Sequence, residues 1–193
     1  WIQQEQLHVD VLPTRLELPR RYAFRYMQIE VLDVSSKYRL RIEDAWCTAE
    51  TSANDGRLAD FHGTPRQEQL DRIAVHTLRE CMQDVFEDGP KRDRRLWLGD
   101  LRMQALANYQ TFHCNDLVKR CLYLFAGTTL EDGRVGACLF TEPEIQVDDT
   151  VMFDYSLFFI PTLLNYYEET RDMETLRELA PTAFRQVELV QSY

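Results

Sequence analysis

Asp88, Asp93 and Asp100 lie close together on the stretch Glu87-Asp88-Gly89-Pro90-Lys91-Arg92-Asp93-Arg94-Arg95-Leu96-Trp97-Leu98-Gly99-Asp100. The same stretch carries four basic residues and one tryptophan, and Pro90 stiffens it. Carboxylates beside an aromatic ring are what a sugar-cleaving site requires. One carboxyl group donates a proton to the leaving oxygen, and a second activates water roughly 6.5–9.5 Å away in an inverting enzyme. Further carboxylates accept hydrogen bonds from sugar hydroxyls, and an indole packs on the apolar face of the ring. The competing reading is a solvated loop in which Glu87, Asp88, Asp93 and Asp100 pair with Lys91, Arg92, Arg94 and Arg95. Exposed pairs contribute only about 0–1 kcal/mol each, which is a weak reason to gather them. Trp97 and Gly99 also fit a solvated turn poorly.

The elements that must position this stretch are helical. Thr64-Pro65-Arg66-Gln67 reads as a helix start, with Thr64 as cap, Pro65 at the first helical position and Gln67 completing a capping box. Leu70, Ile73, Thr77, Leu78, Cys81, Met82 and Val85 follow at spacings of three and four, one stripe on a helix of about 20 residues. The motif comes next as a loop between helices, a common place for chemistry. Leu101 to Phe112 reads as a second helix, with Leu101, Ala105, Leu106 and Tyr109 on one side. Asn115 is expected to cap a third, striped by Leu117, Cys121, Leu124 and Phe125 and ended by Gly127 and the Glu131-Asp132-Gly133 turn. Residues 133–150 lack periodicity and read as an extended loop. Met152 to Thr170 reads as a helix apolar nearly all round, hence buried on most sides. Met173 to Leu179 and Ala183 to Val190 read as a further pair around Pro181.

Residues 1 to about 50 have a different texture. Tyr22 to Val31 alternates, with Tyr22, Phe24 and Tyr26 on one face, and Tyr38 to Ile42 alternates again after a polar turn at Asp33 to Lys37. Ala45 to Thr51 reads as one more strand. So few strands bury too little alone, and they are expected to complete a sheet whose other strands precede Trp1. Ser52 to Gly56 has the composition of a domain boundary.

The 193 residues are 45% hydrophobic and 28% charged, a globular composition. A net charge of −10 argues against a nucleic-acid backbone or an anionic membrane as partner and is compatible with a neutral small molecule. No stretch reaches the roughly 18 consecutive apolar residues of a membrane span, and the most apolar run, Val151 to Leu164, is interrupted by Asp154, Ser156, Pro161 and Thr162. The chain starts at Trp1 without a Met and reads as a fragment or processed product. Cys47, Cys81, Cys114, Cys121 and Cys138 are odd in number, show no metal-ligand spacing and read mostly as buried thiols. His113 beside Cys114 lacks a partner at ligand spacing, so no metal or cofactor is expected. His76 reads as a core or edge histidine, and Tyr155, Phe158, Phe159, Tyr166 and Tyr167 as helix packing. Glu142, Glu144, Asp148 and Asp149 form an acidic loop that is either solvated or faces a pocket mouth.

The stretch from Asp88 to Asp100 resembles the signature of the α-L-rhamnosidases of glycoside hydrolase family 78, roughly Asp-Cys-Pro-x-Arg-[Glu/Asp]-x-x-x-Trp-x-Gly-Asp. Asp88, Pro90, Arg92, Asp93, Trp97, Gly99 and Asp100 match it. Phe153-Asp154-Tyr155-Ser156 is similar to an aromatic-and-Asp motif farther along that family, and Tyr166 to Asp172 to the helix end that follows. The resemblance spans about Tyr22 to Tyr193, with specificity concentrated in the 88–100 stretch.

It implies a mainly α fold, a partial (α/α)6 barrel of the six-hairpin glycosidase type preceded by the C-terminal strands of a β-sandwich. Residues 1–55 would belong to the sandwich and 56–193 to the barrel. It implies inverting hydrolysis of terminal α-L-rhamnose from rhamnosides, with Asp93 as general acid. Asp88 and Asp100 would bind rhamnose hydroxyls, Arg92 and Trp97 would line the pocket, and Asp154 would be a further pocket carboxylate. The partners implied are a rhamnoside substrate, the remainder of the parent chain and, compatibly, a second copy.

There are two departures from the signature. Gly89 replaces the usual Cys, removing a side chain and loosening the loop. Asp93 stands where Glu is common, setting a proton donor about 1.5 Å farther back. The family's catalytic base is a later glutamate with no match before Tyr193, so this chain is expected to hold part of an active site. A binding relative without catalysis is the alternative, and a helical scaffold without sugar affinity a third.

Overall fold

The computed structural model describes residues 4–150 and 152–191. Helix α1 spans Pro65–Cys81 and starts as its capping box dictates. Gln67 N donates to Thr64 Oγ1 at 3.4 Å, and Thr64 N donates to Gln67 Oε1 at 2.9 Å. The helix stops at Cys81, before the end of its apolar stripe. Met82 and Val85 lie beyond it and are fully buried, whereas Leu70 and Ile73 in its first half are 59% and 56% exposed. Only the end of α1 therefore joins the core.

After strand β1 (Leu96–Trp97) come α2 (Leu98–Asn108) and α3 (Asn115–Gly127). The α2 helix begins three residues earlier than its periodicity predicts, which places Gly99 and Asp100 in its first turn. Asn115 is the first residue of α3 rather than its cap. Asn108 does the capping work from the end of α2, accepting from Cys114 N at 2.9 Å and donating to Asn115 Oδ1 at 3.4 Å. Leu117, Val118, Cys121, Leu122 and Phe125 bury one face of α3.

Residues 133–150, expected as plain loop, contain β2 (Cys138–Phe140) and β3 (Gln146–Val147). These pair antiparallel with β1 in the order β1-β2-β3, with Leu96 opposite Leu139 and Trp97 opposite Cys138. Strands this short carry no readable period, which is why the sequence hides them.

Helix α4 spans Phe153–Thr170. It is buried at Ser156, Phe159, Thr162, Leu163 and Tyr166, and Leu164 is 49% exposed. Tyr155 and Phe158 also pack against the core, and among residues 153–170 only Asp154, Leu164, Glu168 and Glu169 are exposed, so the all-round apolar pattern corresponds to a helix at least half-buried along most of its length. Helix α5 runs unbroken over Met173–Gln191, where a pair had been expected around Pro181. Proline removes one intrahelical donor and crowds the preceding turn. Here Leu179 before it and Gln186 and Leu189 after it are buried on one face, and that packing outweighs the local defect. Asp172 caps this helix, accepting from Thr175 N at 3.0 Å and pairing with Lys119 Nζ at 2.9 Å.

By its contacts the chain divides into two units, residues up to Glu30 and residues from Val31 onward. In the first, Glu5 Oε1 accepts from Tyr22 Oη at 2.9 Å and Arg20 Nε at 3.1 Å. The strands expected at Tyr22 to Val31, Tyr38 to Ile42 and Ala45 to Thr51 form no ladder among the described residues, and residues 1–3 lie outside them. Phe24 and Tyr26 are exposed. Alternation needs a pairing edge and a covering layer before it becomes a sheet, and among the described residues these segments find no pairing edge.

In the second unit the supposed boundary at Ser52 is tied down. Ser52 N and Thr51 Oγ1 both donate to Met82 O, at 2.8 and 3.0 Å, and Gln83 Nε2 donates to Glu50 O at 3.0 Å. The core gathers Met82, Phe86, Leu96, Leu98, Leu101, Phe112, Cys121, Phe125, Leu139, Phe159 and Leu163. Of the five cysteines, Cys121 and Cys138 are buried, Cys81 and Cys114 half-buried and Cys47 exposed, so the expectation of mostly buried thiols holds for two. Burial pushes the Cys121 thiol up to about 12 and is the main cause that takes Cys138 to about 11.

Candidate functional site

The motif is a small closed hairpin rather than an open loop. Asp88 N donates to Arg95 O at 2.8 Å and Arg92 N to Gly89 O at 2.7 Å, so residues 89–94 form a tip above a bridge. Gly89 has φ +66°, and a Cβ there would meet Arg92 Nε at 2.6 Å. The Arg92 side chain runs back across that space to donate to Asp88 Oδ1 at 2.9 Å. Gly89 therefore tightens the turn and admits Arg92, contrary to the expectation that losing the usual Cys loosens it.

At the base of the hairpin, Trp97 Nε1 lies 3.4 Å from Asp93 Oδ2, a long hydrogen bond in which the indole donates. Asp93 Oδ1 is buried and has no hydrogen-bond partner among the described residues. Such an acceptor is costly unless it carries a proton or meets a donor. The Trp97 ring meets Tyr155 of α4 edge-on, with centroids 5.8 Å apart. Gly99 lets that ring approach, since a Cβ there would stand 2.8 Å from Tyr155 Cζ.

Asp100 is the third residue of α2, where helix-end N–H groups favour an anion. Burial nevertheless pushes its carboxyl up, and the Asp88 charge adds to this. Its backbone hydrogen bond and Arg92 act the other way, and Asp93 adds a smaller upward push. The Tyr155 hydroxyl is likewise raised, first by burial and then by the charges of Asp100, Asp154 and Asp88. Five of the expected site residues, Asp88, Arg92, Asp93, Asp100 and Asp154, thus fall within electrostatic reach of Asp100 or Tyr155, and Trp97 packs on Tyr155. Asp154 is exposed, at the first turn of α4.

The sequence reading missed Arg95, Phe140, Asp148 and the role of Tyr155. Arg95 Nη1 donates to Asp148 Oδ2 at 2.6 Å and the guanidinium stands 4.4 Å from the Phe140 centroid. Part of the acidic loop is therefore fastened to the motif, whereas Glu142, Glu144 and Asp149 are exposed. The signal available in the sequence was an aromatic at 140 and an acid at 148 on a segment rich in turns. The approach to β2 is pinned from two helices. Ser156 Oγ donates to Val135 O at 2.6 Å, and Gln186 accepts from Val135 N at 3.0 Å and donates to Gly133 O at 2.9 Å.

His113 lies 3.9 Å from Glu169. Among the described residues no group of three or more His, Cys, Asp or Glu is placed to hold a metal, and no helix is long and apolar enough to cross a membrane. A groove of about 780 Å³ is lined by Ser52, Asn54, Arg57, His113 and Arg120 among others. No motif residue lines it, and it lacks the carboxylate–indole pairing.

Residues 63–192 match the bacterial α-L-rhamnosidase six-hairpin glycosidase domain, and residues 1–49 match the glycosyl hydrolase family 78 α-rhamnosidase N-terminal domain. A solved rhamnosidase from Klebsiella oxytoca with rhamnose bound is 62% identical, with a TM-score of 0.65, over 66% of this chain and 25% of its own. A family 78 rhamnosidase of Bacillus sp. GL1 is 28% identical, with a TM-score of 0.54, over 60% of this chain and 12% of its own. Among curated proteins none matches. The chain thus spans a quarter or less of these relatives, and its helices are those of a partial (α/α)6 barrel. With the family domain matched across residues 63–192, the chain belongs to the bacterial α-L-rhamnosidases of glycoside hydrolase family 78.

Proposed function

We propose that the protein carrying this chain hydrolyses terminal α-L-rhamnose from α-L-rhamnosides with inversion, and that Asp93 is the proton donor. Residues 1–55 are the end of its β-sandwich and 56–193 the first part of its catalytic barrel, a division supported by the two matched domains at 1–49 and 63–192. The substrate class is supported by the relative solved with rhamnose bound.

The observation that carries the reading is Asp93 itself. One of its oxygens accepts a long hydrogen bond from the Trp97 indole, and the other is buried with no hydrogen-bond partner among the described residues, within electrostatic reach of Asp100. In the reaction the Asp93 proton passes to the glycosidic oxygen as the bond to the anomeric carbon breaks and its electron pair goes to that oxygen. Water adds from the opposite face and yields a proton to a second carboxylate. That carboxylate lies outside the motif, whose acids share one neighbourhood. Asp88 and Asp100 accept from rhamnose hydroxyls, with Arg92 bracing Asp88. Trp97 packs on the sugar ring, and Asp154 borders the pocket from α4.

The test is Asp93→Asn in the intact protein with a chromogenic α-L-rhamnoside. Turnover should fall by about 10² or more while the melting temperature is kept. Parent-level turnover in the variant sinks the assignment. The second reading, a binding relative without catalysis, is favoured by the shorter acid at 93. Calorimetric binding of L-rhamnose by the intact protein without rhamnoside turnover would establish it.

A further inference from the structure

Arg95 joins the motif to the strap formed by β2 and β3. Its Nη1 donates to Asp148 Oδ2 at 2.6 Å, while its Nε stands 3.7 Å from Asp93 Oδ2. The first is a short charge-assisted bond. The second is beyond hydrogen-bonding reach. The unmade bond leaves Arg95 Nε without a hydrogen-bond partner among the described residues, and Asp93 Oδ1, the oxygen not facing Arg95 Nε, is also buried without one. The cation and the carboxyl group are held side by side as a long ion pair that stops short of a hydrogen bond.

Asp148 is built to do the holding. Its Oδ1 accepts from Thr150 N at 2.8 Å and Thr150 Oγ1 at 2.5 Å, which leaves Oδ2 for Arg95. Its own N donates to Cys138 O at 3.1 Å, fixing the backbone to β2. The Thr150 hydrogen bonds, with Arg95 adding, hold its carboxyl below the usual range, so it stays an anion. Phe140 packs on the guanidinium from β2 and limits its other directions.

We propose that Asp148 is a positioning residue for Asp93: it holds the Arg95 guanidinium on the strap and so keeps that cation from closing its 3.7 Å approach to Asp93 into a hydrogen bond. The inference rests on the reading of Asp93 as proton donor. A carboxyl group hydrogen-bonded to a guanidinium is held as the anion near neutral pH, so an Arg95 released from Asp148 would disable the donor. The other charged and titratable groups around Asp93 are Asp100 in α2 and Cys138 on β2, with Asp88 and Arg92 at the hairpin and Tyr155 of α4 behind Trp97.

The experiment follows kcat against pH for a chromogenic α-L-rhamnoside in the intact protein. Asp148→Asn should move the alkaline limb down by about one pH unit and cut kcat at neutral pH about tenfold, as expected for an opposite charge brought within bonding distance. Arg95→Met should move the limb up. Arg95→Met added to Asp148→Asn should reverse the downward shift, which mere damage to the strap would not do. An unmoved limb in Asp148→Asn, or equal shifts in the single and double variants, overturns the inference. If Asp148→Asn does not fold, Arg95→Met decides alone, and an unmoved limb there also overturns it. Asp93→Asn separates the two levels. Parent-level turnover in that variant defeats the reading of Asp93, whereas an inactive Asp93→Asn with unmoved limbs in the others defeats only the role of Asp148.

Discussion

Gly99 lies directly beneath the Tyr155 ring, so close that a Cβ would come within 2.8 Å of Cζ and 2.9 Å of Cε1. Tyr155 in turn meets the edge of Trp97, and Trp97 holds Asp93. One missing methyl group therefore sets the distance between α2 and α4 at the site. Gly99→Ala should cost about 1–3 kcal/mol by overpacking and lower kcat/KM for rhamnosides by displacing Trp97. Chemical denaturation and steady-state kinetics on the intact protein measure both. An alanine variant with parent stability and kinetics would show that Tyr155 is free to move aside.

Asp100 gives a pH signature with a defined sign. Its carboxyl is raised in the folded chain, mainly by burial, so the folded state binds its proton more tightly than the unfolded state does. The stability it contributes is present below the ordinary carboxylate value near 3.9 and is lost as pH rises through the folded value. Asp100→Asn removes that loss. The variant should melt higher than the parent at neutral pH, and the difference should vanish as pH falls to about 3. Rhamnoside turnover should fall at the same time, because the proposed sugar-hydroxyl ligand would exchange one acceptor oxygen for an NH2 donor. A variant less stable than the parent at neutral pH would contradict the raised carboxyl.

Gln186 reaches from α5 to the loop that feeds β2. Its amide serves Val135 N, Gly133 O and Thr182 O, and Val135 is fully buried. Gln186→Leu fits a similar volume but leaves Val135 N without an acceptor, at about 1–3 kcal/mol. Hydrogen exchange should accelerate at the Val135 to Leu139 amides, and KM should rise as the strap that holds Arg95 loosens. Unchanged exchange there would mean that Ser156 alone pins the loop.

The sequence was legible where its signals are local. The capping box at Thr64 and Gln67 starts α1 where expected, and the stripe through Leu117, Cys121 and Phe125 lies on the buried face of α3. The motif was legible as a gathering of acids, and these acids do share an electrostatic neighbourhood. What failed depended on partners distant in the chain. The pairing of Leu96 with Leu139 spans two helices and leaves no period in two- and three-residue strands. Asp148 looks like any member of an acidic loop until Arg95 stands beside it. The alternation at Tyr22 to Val31 was real as a pattern, yet a pattern without a pairing edge makes no ladder.

Gly89 is where the motif departs from its family signature, and the geometry turns that departure into a prediction. Any side chain at φ +66° costs about 1–2 kcal/mol. A Cβ would also displace the Arg92 guanidinium that reaches Asp88, since it falls 2.6 Å from Nε. Gly89→Cys, which restores the signature residue, should therefore destabilise this protein and raise KM as Asp88 loses its brace. Gly127→Ala is the control. It lies at the last residue of α3 with open space around its Cβ, and should be neutral or stabilising by up to about 1 kcal/mol. Denaturation midpoints and KM for a chromogenic rhamnoside, measured on both variants of the intact protein, decide the matter. If Gly89→Cys matches the parent in both, Arg92 has another route to Asp88, and the glycine is a tolerated change rather than the condition for that contact.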